Sequence, residues 1–183
     1  LEIDPTDYFR LYLSALIRRG QNIRVLDVID SIKTIENAVD TLRLLNINLV
    51  ALIELGNINE LEKMYSKGWK IDSPSAFYAS YLKTKGKYFQ LKSDYQKSKQ
   101  AHYSALDFYQ TEGDSLEAAS VMLELATVEM DLGNYDNASR LIFSSQQIFI
   151  NSGHELGVAN ASFHLGVMYS NLGQIDLSVE NYF

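Results

Sequence analysis

The sequence contains no cysteine, only two prolines and a single tryptophan among 183 residues. The absence of cysteine excludes disulfides and thiolate metal sites, and it is compatible with a reducing or an oxidising compartment. Alternating strand patterns are scarce, as are the glycines and prolines that punctuate all-β folds. These absences predict an all-α protein.

Signatures of catalysis are also missing. The sequence has no GxSxG motif, phosphate-binding loop or dinucleotide fingerprint, and its three histidines do not form an HExxH pair. We therefore predict a non-catalytic segment with no cofactor and no metal ion, although a domain attached to it in a longer protein could be an enzyme. No apolar run is long enough for a membrane span, so no membrane insertion is expected.

The charge is distributed unevenly along the chain. Residues 1–99 contain 15 Lys or Arg against 12 Asp or Glu, whereas residues 100–183 contain one basic residue against 11 acids. Such asymmetry suggests two regions with different partners, but solvated helix surfaces explain it equally well.

A repeat of 40 residues organises the second half of the chain. Ala79, Ala119 and Ala159 coincide when the chain is shifted by this period, and DLGNYDNASRLIF returns as NLGQIDLSVENYF. A period of this length indicates a solenoid of stacked supersecondary units. Punctuation continues upstream at spacings of 36 and 37, which predicts five units over approximately 6–41, 42–76, 77–116, 117–156 and 157–183, the last one truncated.

Each unit is predicted to be a pair of antiparallel helices. In the fourth unit, Asp114 can cap the first helix and Gly133 can supply the left-handed residue that ends it. The second helix carries its apolar face from Tyr135 to Phe149. In the third unit, we expect Ser73 to be the cap and Pro74 to lie in the first turn.

The repeats resemble tetratricopeptide repeats (TPRs). The resemblance rests on Leu165, Gly166, Tyr169, Gly173 and Tyr182 and on the corresponding residues of the preceding unit. Units longer than the common 34 residues are similar to those in bacterial regulators, such as MalT and the Rap or PlcR peptide receptors, and in animal scaffolds of the LGN type. The resemblance implies one TPR-like domain over residues 1–183 that forms a right-handed superhelical solenoid. Because the sequence starts at Leu1 without a methionine and stops at Phe183 within an apolar pattern, we expect it to be a fragment of a longer protein.

In such proteins a concave groove, lined by the first helix of each pair, holds a peptide or a partner protein. Mapped on this sequence, the groove is basic towards the N-terminus and more apolar towards the C-terminus, which suits a ligand with an acidic segment. The implied groove residues are Arg10, Arg18, Arg43, Asn46, Lys83, Lys87, Gln90, Thr127, Met130, Asn160, Phe163, Val167 and Ser170.

Two functions follow from the resemblance. One is a sensor or interaction region of a larger bacterial signalling or transcription-regulatory protein, and the other is a passive scaffold or oligomerisation module. A homodimer through the repeat ends is a further expectation. Direct nucleic-acid binding is not expected, since the aromatics of the lysine-rich stretch 83–99 fall at helix-packing positions of the repeat. The expected location is the cytoplasm, and the periplasm stays open because the native N-terminus is missing.

Overall fold

The computed structural model describes residues 13, 16, 19–31, 38–66 and 75–182. The regular secondary structure of these residues is entirely α-helical, which agrees with the predicted all-α class. The chain divides into two compact units, Leu1–Lys92 and Ser93–Phe183. The first unit contains α1 (Asn22–Ser31), α2 (Ala38–Glu54), α3 (Ile58–Ser66) and α4 (Ala76–Leu91). The second contains α5 (Tyr95–Thr111), α6 (Ser115–Asp131), α7 (Tyr135–Asn151), α8 (Glu155–Asn171) and α9 (Ile175–Tyr182).

Short left-handed turns end the helices where glycine was expected. Gly133 has φ of 75°. Its N–H donates to the Met130 carbonyl at 2.9 Å, and the N–H of Asn134 donates to the Glu129 carbonyl at 2.8 Å. This is the Schellman arrangement, which satisfies carbonyls that have no partner within the helix. The same turn ends the preceding helix at Gly113.

The residue after the left-handed glycine often caps the next helix. The Asp114 carboxylate accepts the Glu117 N–H at 3.1 Å, as predicted. The turn is therefore complete within a few residues, because one residue ends a helix and its neighbour begins the next. Connections of this length place consecutive helices side by side and antiparallel.

The start of α4 corrects one prediction. Ser75, not Ser73, is the cap, since its hydroxyl accepts the Tyr78 N–H at 3.1 Å and its backbone is extended. The helix begins at Ala76, so Pro74 precedes the cap instead of lying in the first turn. Ser73 and Pro74 themselves lie outside the described residues.

Each unit has its own apolar core. In the first unit, Leu49, Leu52 and Leu61 are buried together with the aromatic side chains of Tyr81 and Tyr88. In the second, the core joins the faces of α6, α7 and α8. The predicted face of α7 is confirmed. Its buried residues are Ala138, Ile142, Ser145 and Phe149, with Tyr135, Leu141 and Ile148 packed partly buried beside them.

Small residues bring neighbouring helices close together in the second unit. The Ser145 hydroxyl donates to the carbonyl of Ala119 at 2.9 Å, so a side chain of α7 reaches the backbone of α6. The hydroxyl of Ser178 donates in the same way to the carbonyl of Gly166. Only a short side chain, or none, at Ala119 and Gly166 leaves room for such an approach, as the sequence predicted.

Candidate functional site

In the first unit, the first helices of consecutive pairs lie side by side. The Asn46 side-chain amide of α2 donates to the hydroxyl of Ser80 in α4, at 2.6 Å. Further along α4, Lys83, Lys87 and Gln90 are half-buried at helical spacing from Ser80. These residues give the α2–α4 surface a polar face with two lysines. Arg10 and Arg18 lie outside the described residues, as does the side chain of Arg43, so their place on this surface stays a prediction.

The second unit has the equivalent arrangement. Thr127 Oγ1 of α6 lies 3.4 Å from Nδ1 of His164 in α8, and the Thr127 hydroxyl also donates to the carbonyl of Leu123 at 3.0 Å. On α8, Asn160 and Ser170 are exposed and Val167 is half-buried. The Phe163 side chain is 54% exposed.

Met130 differs from its predicted place in the groove. It is 5% exposed and belongs to the core of the second unit, together with Leu165 and Met168 of α8. The repeat pattern places Met130 and Ser170 at equivalent positions. Residues of α8 pack against Met130, whereas Ser170 is exposed. Met130 therefore contributes to stability and is not accessible to a ligand.

A buried carboxylate of the second unit connects α6 to α5 and to the turn before α7. Glu129 of α6 is 2% exposed and forms an ion pair with Lys99 of α5 at 2.6 Å. Its other oxygen accepts the side-chain amide of Asn134 at 2.8 Å, which explains why Asn134 does not cap α7. Burial raises the pKa of Glu129, but Lys99 and Asn134 outweigh it and hold that pKa below its usual value. The Glu129 carboxylate in turn raises the pKa of Lys99.

Sequence reasoning missed this ion pair. The only signal was a glutamate between Val128 and Met130 on an otherwise apolar stretch of α6. Among the described residues no group of side chains could hold a metal ion, and none of their helices is long and apolar enough to cross a membrane.

A cleft of about 540 Å³ opens between the first turns of α6 and α8. Its α6 wall is formed by Leu116, Glu117 and Ser120 and its α8 wall by Leu156, Gly157 and Asn160, and Phe149 and His154 also line it. Of these residues only Asn160 was predicted as a site residue. Gly157 is the signal in the sequence, since it is a glycine that no turn requires.

Comparisons with known proteins identify the architecture. No family model matches the sequence, and no curated protein matches it. The apo form of RapI is similar in structure, with a TM-score of 0.65 and 18% identity over 100% of this chain and 82% of RapI. The fold is a TPR-like helical repeat. BtubC (BKLC) from P. vanneervenii is also similar, with a TM-score of 0.59 and 12% identity over 98% of this chain and 71% of BtubC.

These likenesses confirm the predicted TPR-like fold class, and at such identities they concern the fold alone. The boundaries of the five repeats stay predictions.

Proposed function

We propose that this chain is a non-catalytic module that binds a protein or a peptide, as the sensor or interaction region of a larger bacterial signalling or transcription-regulatory protein. The observation that carries the proposal is the pairing of first helices. Asn46 with Ser80 and Thr127 with His164 each join the first helices of consecutive pairs, one in each unit. Shared faces of this kind are suited to an extended or helical segment, as in other helix-lined grooves.

The two faces differ in chemistry. The α2–α4 face carries Lys83 and Lys87, which favours an acidic segment of the ligand through charge complementarity. The α6–α8 face carries Phe163, a large apolar side chain that is 54% exposed. An aromatic residue on an accessible face is a suitable anchor for binding.

The test compares substitutions on first helices with substitutions of the same residue type on second helices. Linear peptides that bind the wild-type chain are selected from a displayed random library, and their affinities are measured by fluorescence anisotropy. Phe163→Ala on a first helix is compared with Phe143→Ala on a second helix, where the side chain is 48% exposed. Lys87→Glu is compared with Lys63→Glu on α3.

We expect the first-helix substitutions to weaken binding about tenfold and the second-helix controls to change it less than about twofold. If the first-helix substitution and its second-helix control weaken binding equally, or if neither weakens it, the peptide does not bind on the first-helix faces. Circular dichroism melts of all four variants separate loss of contact from loss of folding.

A passive scaffold or oligomerisation module is the second candidate. It is favoured by apolar side chains exposed on α9, where Ile175 and Val179, one helical turn apart, are 61% and 51% exposed. Exposed apolar residues that are close together often mark an association surface. Light scattering over a range of concentrations tests this function with the Ile175→Lys, Val179→Lys variant. A wild-type oligomer that the variant abolishes would favour the scaffold, whereas a monomer at all concentrations would oppose it.

A further inference from the structure

We propose that the cleft between α6 and α8 binds an apolar side chain carried on a basic peptide segment. This inference rests on the proposed peptide-binding function. It uses a surface that shares only Asn160 with the predicted groove, so the two can fail separately. Three features of the cleft carry it: its preformed floor, its apolar rim and its charge.

The floor of the cleft is preformed, because Gly157 has no side chain and the ring of Phe149 packs directly against its backbone. A Cβ at this position would collide with the ring of Phe149 and with Nδ1 of His154. The same His154 nitrogen accepts the Gly157 N–H at 2.9 Å, and the two rings lie 5.5 Å apart. Backbone and buried aromatic ring therefore form a floor that is held in place without a ligand.

The rim of the cleft is apolar and accessible. Leu116 and Leu156, which are one repeat apart, are 36% and 77% exposed, one on each wall. Phe149 below them is only 4% exposed. The volume of about 540 Å³ lies within the range of about 300–1,000 Å³ that is usual for small-ligand sites, which is sufficient for a Leu or Phe side chain with its backbone.

The charge around the cleft favours a cation. Residues 93–183 contain 12 acids and only three basic residues, and Glu117 lines the cleft. Lys97 pairs with Asp94 and Lys99 with Glu129, while Arg140 of α7 lines a different cleft. No cation therefore lines the cleft among the described residues.

The helix N-termini at the cleft could instead attract an anion, because the first N–H groups carry partial positive charge. In this cleft the helix caps already accept some of these N–H groups. Asp114 accepts the N–H of Glu117 and His154 accepts that of Gly157. Glu117 and Glu155 add full negative charges to the first turns of the two helices, which outweigh the partial charge of the dipoles.

The test uses three labelled hexapeptides. The first has Leu-Phe between pairs of lysines, the second has Ser-Ser in place of Leu-Phe, and the third has glutamates in place of the lysines. We expect the wild-type chain to bind the first peptide, with affinity falling between about 0.05 M and 0.5 M NaCl, and to bind the other two at least about tenfold more weakly. The backbone amide of Gly157 should shift in nuclear magnetic resonance spectra when the first peptide is added.

Variants localise the binding. Leu156→Ser and Glu117→Gln should each weaken binding about five- to tenfold. Their controls are Ile150→Ser, at a residue that is 52% exposed on α7, and Glu180→Gln on α9, and neither should change binding.

Preference for the glutamate peptide would overturn the inference in favour of an anion site, and equal affinity in Leu156→Ser would place binding outside the cleft. If no hexapeptide binds while library-selected peptides still bind through Phe163, the cleft inference fails and the proposed function stands. If the hexapeptide binds at the cleft but Phe163→Ala does not weaken the binding of the selected peptides, the proposed groove is rejected and the cleft inference stands.

Discussion

At the scale of single residues, the left-handed turns contain one exception that can be tested. Ser93 has φ of 57°, in the place that glycine occupies at the other described turns. The left-handed conformation costs an L residue about 1–2 kcal/mol. Glycine avoids this cost, but its unfolded chain has more conformational freedom, which offsets part of the gain in stability. We expect Ser93→Gly to raise the free energy of unfolding by about 0.5–1 kcal/mol. Urea unfolding measures this free energy. Gly133→Ser is the reverse control, which should lower the free energy of unfolding. A lower free energy of unfolding in Ser93→Gly would contradict the prediction.

Gly157 provides the opposite case, where glycine is required by packing and not by φ. Replacement of a helical glycine by alanine normally stabilises by about 1 kcal/mol. Here we expect Gly157→Ala to destabilise by about 1–3 kcal/mol, because the new Cβ collides with Phe149. Thermal unfolding measures the change. A double variant with Phe149→Leu should recover part of the loss if the collision is its cause, and an additive double variant would reject that cause.

At the scale of elements, the Lys99–Glu129 pair connects α5 to α6 and predicts how stability depends on pH. The pKa of Glu129 is lowered in the folded chain, so its contribution is present above the unfolded value of about 4.3 and is lost as the pH falls. The pKa of Lys99 is raised, so its contribution is present below about 10.4 and is lost as the pH rises further. The pair therefore stabilises most between about pH 5 and pH 10.

Glu129→Gln should accordingly lower the free energy of unfolding by about 1–3 kcal/mol at pH 7, because it leaves the Lys99 ammonium partly buried without its carboxylate. The difference from the wild type should narrow at about pH 4. Urea unfolding at both pH values measures it, with Glu180→Gln as the exposed control. A difference that is the same at both values would show that packing, and not charge, accounts for the loss.

The elements also show which parts of this fold local sequence could predict. Gly133 followed by a short polar residue contains all the chemistry that its turn needs, so the helix ends were predictable. Met130 and Glu129 were not, because their burial depends on residues of α5 and α8 that are distant in sequence. The cleft was missed for the same reason: Gly157 is informative only once Phe149 is known to lie against it.

At the scale of the whole molecule, the uneven charge predicts a response to salt. Residues 93–183 have a net charge of −9, whereas residues 1–92 have +2. Like charges in one compact unit repel each other, and ions screen this repulsion over about 10 Å at 0.1 M. We expect the melting temperature to rise by about 2–4 °C, or about 1 kcal/mol, between about 0.02 M and 0.3 M NaCl.

The control neutralises exposed acids of the second unit in the Asp107→Asn, Glu112→Gln, Glu180→Gln variant. Its melting temperature should be higher than that of the wild type in low salt and should respond less to added salt, because less repulsion is left to screen. Ion pairs act in the opposite direction, since salt weakens the exposed Lys97–Asp94 pair. A wild-type melting temperature that falls with salt would therefore mean that such pairs, and not the net charge of the second unit, govern the electrostatic part of its stability.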